Sequence, residues 1–274
     1  MPHASVNGIS LYYEAHGAGS PLLLIMGFAA NTTAWGPLLP ALSSRHRVIA
    51  FDNRGAGRSD APAAAYTMAE LADDALGLLT QLGIEQAHVF GVSMGGMIAQ
   101  HVALRAPQRT LSLILGCTTP GGTQATPASD AVIAALLQAA TAPLEQAFDL
   151  TLPLMYSDAF AAAHRAELWQ RAQQNAPLRA GEAGINGQMA AVVAHDSFAQ
   201  LPQIGCPALV LHGDADELVP AANGRLLAER IPGAKLVLYP GARHGFHVEF
   251  AAGSASDVLT FLETAPAAAP ARPR

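Results

Sequence analysis

The sequence predicts an α/β protein: a doubly wound, mostly parallel sheet carrying an inserted helical cap. Three observations carry this reading. Short runs of branched and apolar residues alternate with longer helical patterns. One run, "QAHVFGV", is apolar almost throughout, as suits a strand covered on both faces. Between about Thr118 and Leu201 the alternation gives way to Ala-rich helical sequence with Pro and Gly at its joints.

Taken in order, "ISLYYEAHG" and "PLLLIMG" read as strands, "WGPLLPALSS" as a short helix and "HRVIAFDNRG" as a strand. "TMAELADDALGLLTQLG" follows, with Thr67 and Glu70 spaced as a capping box, apolar residues at helical spacing behind them, and Gly83 placed to end the helix. Next come the strand "QAHVFGV", the helix "MGGMIAQHVALRAP" and the strand "TLSLILG". The insertion contains the helical stretches "SDAVIAALLQAAT", "PLEQAFDLTLPLMY" and "DAFAAAHRAELWQRAQQ". Strands return in "PALVLHG" and "AKLVLYPG", separated by the helix "NGRLLAERIPG". The expected organisation is a core of residues 1–117 and 202–264, a helical cap over 118–201, and a Pro/Ala-rich disordered tail over 265–274.

Composition narrows the function classes. The chain has 274 residues, enough for one large domain with a sizeable core. No apolar run reaches the roughly 18 residues that a membrane-spanning helix needs. "MPHASVNGISLYYEAHG" lacks the plan of a signal peptide, so the expected location is the cytoplasm. Fifteen basic against 21 acidic side chains give a net charge of −6, without a basic cluster suited to a phosphate backbone, so nucleic acid is not an expected partner. Cys117 and Cys206 lie far apart, outside any C-x-x-C pattern, and read as buried free thiols.

The chemistry gathers around "HVFGVSMGGMIAQH". Gly91-Val92-Ser93-Met94-Gly95 fits G-x-S-x-G directly between a predicted strand and a predicted helix. A sharp turn there lifts a hydroxyl above the sheet edge, glycines leave room for crowded backbone, and the helix N-terminus offers amide donors to developing negative charge. A hydroxyl is a poor nucleophile at neutral pH, so it needs a base and an acid that orients the base. "LHGDADELVP" supplies an acid, Asp214 or Asp216, after one strand, and "YPGARHGF" a histidine, His244 or His247, after the next. The order serine, acid, histidine matches this kind of elbow.

With these segments in place the chain resembles the α/β-hydrolase fold superfamily, in its cap-bearing esterase and lactonase branch. The resemblance runs from "ISLYYEAHG" to about Leu262 and includes the loop "FDNRGAGRSD". It implies that Asp216, third after Gly213, is the triad acid, and that His244, third after Gly241, is the base. It also implies an oxyanion hole formed by the amides of Met94 and of Phe28, after Gly27. Met26 stands where many members carry histidine. Gly27 and Trp35, beside that loop, are expected to touch substrate, whereas Arg54 and Asp60 are expected to organise their loop.

The resulting expectation is a cofactor-independent serine hydrolase acting on small or medium carboxylic esters, with an enol-lactonase-like activity as the near alternative. A small-molecule receptor that keeps the triad is the alternative from another class. Dehalogenase and epoxide hydrolase activities are disfavoured, because members with those activities carry Asp at the position of Ser93. A metal site of Asp214, Asp216, His244 and His247 is not expected, since no closed ligand spacing appears. His195 and Asp196 read as an anchor for the insertion. Leu152, Met155, Tyr156, Phe160, Trp169 and Met189 could line an apolar pocket, although helical apolar residues are more often core.

Overall fold

The computed structural model of the chain describes residues 2–265. The expected tail lies outside these residues but for Ala265. Eight strands form one sheet: β1 (His3–Val6), β2 (Ile9–His16), β3 (Ser20–Ile25), β4 (His46–Phe51), β5 (Ala87–Val92), β6 (Thr110–Gly116), β7 (Ala208–Gly213) and β8 (Lys235–Tyr239). Their spatial order is β1-β2-β4-β3-β5-β6-β7-β8. Pairing is antiparallel for β1–β2 and β2–β4, and parallel from β4 onward.

Ten α-helices accompany the sheet among the described residues: α1 (Leu39–Ser43), α2 (Met68–Gln81), α3 (Met94–Arg105), α4 (Asp130–Thr141), α5 (Leu144–Met155), α6 (Asp158–Asn175), α7 (Glu182–Val193), α8 (Ala222–Arg230), α9 (Phe246–Glu249) and α10 (Ala251–Glu263). The capping box of α2 forms as expected. The Thr67 hydroxyl accepts from the Glu70 amide, the Glu70 carboxylate accepts from the Thr67 amide, and Gly83 follows the helix in the left-handed region.

The central strands are buried on both faces, and their side chains alternate between two cores. In β3, Leu23 and Ile25 join the layer under α2 and α3, with Leu71, Leu78, Ile98 and Val102. Leu22 and Leu24 join the opposite layer, with Leu42 of α1 and Val258 and Phe261 of α10. Double coverage explains why β5 reads as a continuous apolar run.

Among the named strands and helices four escape the sequence reading: β1, α10, α7 and the four-residue α9. β1 is only four residues long and alternates exposed with buried side chains; Asn7-Gly8, both at positive φ, joins it to β2. Asn-Gly is the strongest short-range signal for such a hairpin. In α7, Gly184 and Gly187 weaken the helical signature.

The chain leaves β3 toward one side of the sheet and leaves β5 toward the other. This reversal opens a crevice beyond the carboxyl ends of β3 and β5, the usual ligand position in open α/β sheets. Helices α4 to α7 all lie between β6 and β7 in the chain.

Candidate active site

Ser93 occupies the turn from β5 into α3, at φ 57° and ψ −124°. A non-glycine residue held there costs of order 1–3 kcal/mol and persists only where its surroundings fix it. The surroundings are glycine contacts: a Cβ on Gly91 would lie 2.0 Å from the Gly95 carbonyl oxygen, and one on Gly95 would lie 2.0 Å from that of Ile25. A Cβ on Gly96 would lie 2.6 Å from the side chain of Thr118, whose hydroxyl donates to the Ser93 carbonyl at 2.7 Å. At Gly91 and Gly95 the bend is therefore enforced by backbone meeting backbone. Met94, the first residue of α3, has an amide with no acceptor inside the helix.

Two loops converge on this serine. His244 Nδ1 donates to Asp216 Oδ2 at 2.8 Å, which leaves Nε2 to accept from the Ser93 hydroxyl at 3.0 Å. Both His244 and Asp216 are buried. Asp214 is exposed and accepts from the Gly241 amide; His247 is buried on α9, with its ring 6.2 Å from that of Trp35. The hydrogen-bonded chain thus runs through Asp216 and His244 and passes by Asp214 and His247.

The electrostatics follow from burial and pairing. Desolvation alone would raise Asp216, but the imidazoles of His244 and His212 hold it down to about 2, while its other oxygen accepts from the amides of Leu218 and Val219. Burial would lower His244, yet the Asp216 carboxylate outweighs it and the net direction is well upward. His247, buried beside His244 without an anionic partner, falls to about 4. Cys117 has its sulfur 4.0 Å from His244 Nε2, and with Asp216 these residues form a compact donor cluster. Both ring nitrogens of His244 are already hydrogen-bonded, to Asp216 and Ser93.

The loop after β3 abuts the serine: a Cβ on Gly27 would lie 3.0 Å from that of Ser93. Phe28 is half-buried there. Trp35, expected to touch substrate, is turned inward. It is 0% exposed, packed edge-on against Phe90 of β5 at 5.0 Å, because the Asn31-capped 3-10 turn Thr32–Trp35 aims its ring into the core. In the neighbouring loop Arg54 forms a two-pronged pair with Asp74, and Asp60 accepts from the Ser10 amide. Asn53 donates to the Met26 carbonyl at 2.8 Å.

A family model described as the alpha/beta hydrolase fold matches residues 20–251. The chain belongs to this family. It is 32% identical over 247 residues to the "Putative carbamate hydrolase RutD" of Azorhizobium caulinodans, covering 90% of this chain and 92% of that protein. It is 32% identical to the pimeloyl-[acyl-carrier protein] methyl ester esterase of Aeromonas hydrophila, covering 86% of this chain and 92% of the relative. Among solved structures, the enol-lactonase of Burkholderia xenovorans LB400 superposes with a TM-score of 0.85 at 29% identity, covering 96% of this chain and all of that one.

In this alpha/beta hydrolase the segment between β6 and β7 is tied to the site at two places. At the α5–α6 corner, the Leu154 and Met155 carbonyls accept from the His244 and Gly245 amides, and the Tyr156 ring packs on Gly245. Glu249 accepts from the Ser157 amide, and Arg243 pairs with Asp158. At α7, Gln188 reaches the loop after β3, a contact that no local pattern in the sequence announces. Of the apolar residues considered for a pocket, Trp169 pairs with Phe148 in a surface groove between α5 and α6, and Met189 is exposed. His195 and Asp196 lie at the neck, where Gly121 bridges Asp196 and His195 Nε2 donates to the Thr119 carbonyl. Among the described residues no helix is long and apolar enough to cross a membrane.

Proposed function

We propose that the chain is a serine carboxylesterase for small to medium carboxylic esters. The observation that carries this reading is His244, hydrogen-bonded at once to Ser93 Oγ and to the Asp216 carboxylate. Ser93 attacks the acyl carbon while His244 Nε2 takes its proton, and Asp216 stabilises the imidazolium that forms. The amides of Met94 and Phe28 receive the oxyanion. The tetrahedral intermediate collapses as His244 protonates the departing alcohol. Water then attacks the acyl-enzyme, with His244 again as base, releasing the acid and restoring Ser93. Charge that develops on the oxygen meets fixed dipoles that need no reorientation, which is where such sites gain most of their rate.

The helices between β6 and β7 act as a cap in this reading, and their ties to the His244 loop favour a small enclosed substrate over a polymer. No cofactor is required, and the chemistry takes place in the cytoplasm. A panel of aryl esters of graded acyl length, with several lactones, run on wild type and Ser93→Ala, tests the proposal. Turnover of esters that vanishes in Ser93→Ala supports it. Turnover confined to lactones would replace it with the enol-lactonase reading that the Burkholderia xenovorans neighbour favours. A single slow event with product retained, instead of many turnovers, would point to a receptor.

A further inference from the structure

Gln188 of α7 is 0% exposed, and the two ends of its amide are both committed to backbone of the catalytic face. Its Oε1 accepts from the Ala29 amide at 2.8 Å, and its Nε2 donates to the Arg54 carbonyl at 2.7 Å. A buried primary amide is stabilising only when both ends are partnered, so this side chain has one orientation. The helix that carries it is fixed by close contact. A Cβ on Gly184 would lie 1.9 Å from the Gly55 carbonyl oxygen, and the Tyr66 amide donates to the Gly187 carbonyl at 3.1 Å.

The segment it holds cannot easily hold itself. Gly27 to Ala30 is a turn closed by the Ala30 amide on the Gly27 carbonyl at 3.3 Å. Its third residue, Ala29, sits at φ 55°, where glycine or asparagine is usual. Relaxation of Ala29 turns the Phe28–Ala29 peptide, which shares the Phe28 Cα with the Gly27–Phe28 peptide whose N–H belongs to Phe28, and so frees that neighbour to turn as well. On the other side of Phe28, Asn53 holds the Met26 carbonyl. The Gly27–Phe28 peptide is thus bracketed by two buried amides, one from the sheet domain and one from the insertion.

We propose that Gln188 is a positioning residue: it acts through Ala29 to aim the Phe28 amide at the oxyanion, coupling the insertion to the hole. The inference rests on the acyl-transfer reading above. Removing an oxyanion donor costs about 10²–10³ in kcat, so misaiming one is expected to cost roughly 10- to 100-fold.

The experiment compares wild type, Gln188→Leu, Gln188→Glu and Ser93→Ala as full chains, measuring kcat, KM and affinity for an arylboronic acid that forms a tetrahedral adduct on Ser93. In Gln188→Leu, kcat is expected to fall with KM nearly unchanged, and boronate affinity to fall with it. A folded Gln188→Leu with kcat and boronate affinity within twofold of wild type, or with the loss confined to KM, overturns the proposal. If Gln188→Leu fails to fold, Gln188→Glu decides. Protonated, a Glu side chain keeps both bonds; ionised, it opposes the Arg54 carbonyl. Its kcat relative to wild type is expected to rise as pH falls, and a flat ratio overturns the inference. Activity retained in Ser93→Ala would instead sink the acyl-transfer reading, whatever the Gln188 variants do.

Discussion

The turn at Ser93 and the helices between β6 and β7 follow opposite rules of construction. At the turn, three glycines within six residues each face a neighbour at 2.0–2.6 Å from where a Cβ would stand, so no side chain larger than hydrogen fits. In the insertion, α6 buries only Leu168 of its eighteen residues, and Leu137 of α4 is 62% exposed. One region is specified by contact at every position, the other by a few anchors. The lesson is that precision in this molecule is local. It is concentrated where Ser93, Gly27 and His244 meet, and among the described residues it reaches the insertion at α7, through Gly184, Gly187 and Gln188, and at the Leu154–Ser157 corner.

The largest effect that tests this contrast is Ser93→Ala, expected to lower kcat by about 10⁵- to 10⁶-fold with the fold unchanged, as read by turnover and circular dichroism. Asp216→Asn comes next, at about 10⁴-fold in kcat, while Asp214→Asn stays near wild type. The same pair of variants carries a pH signature. In the proposed mechanism neutral His244 is the active form, and Asp216 raises its pKa, so wild-type kcat/KM should fall on the acid side of a pH above the usual imidazole range. Without the carboxylate, burial dominates and that limb should move to lower pH.

Stability variants sharpen the comparison further. Gly91→Ala should destabilise by about 3 kcal/mol or more, a Tm loss of roughly 6–12 °C, because the new methyl meets backbone that cannot yield. Gly184→Ala should behave similarly although it lies in the insertion, since its obstacle is the Gly55 carbonyl. Leu137→Gln on α4 should change stability by no more than about 0.5 kcal/mol. A large loss at Leu137 or a negligible one at Gly184 in thermal denaturation would erase the distinction drawn between α4 and α7.

How far these features can be read from sequence follows the same division. The elbow is legible because its constraint is local: glycine spacing, strand and helix all fall within a dozen residues. Asp216 and His244 are legible because each follows a strand end, in chain order. The full burial of Trp35 is not legible, because adjacency to a loop says nothing about which way a 3-10 turn points a ring. Gln188 is invisible, since its partners Ala29 and Arg54 lie 159 and 134 residues away. Helix α7 is obscured by the glycines that let it approach Gly55 and Tyr66: the property that lowers its propensity is the one that makes its packing possible.

At the neck of the insertion, Gly121 pairs with Asp196, the Ser197 amide donates to the Pro120 carbonyl, and the Gly122 amide to that of His195. The outgoing and returning chains therefore stand side by side before the helices begin. A segment whose ends already touch can change in length at little entropic cost to the rest of the molecule, because closure has been achieved upstream. The neck makes the insertion an exchangeable cassette. Grafting another helical segment between these two chains would alter what enters the site while leaving Ser93, Asp216 and His244 in register. Any such replacement would have to restore an amide where Gln188 meets Ala29.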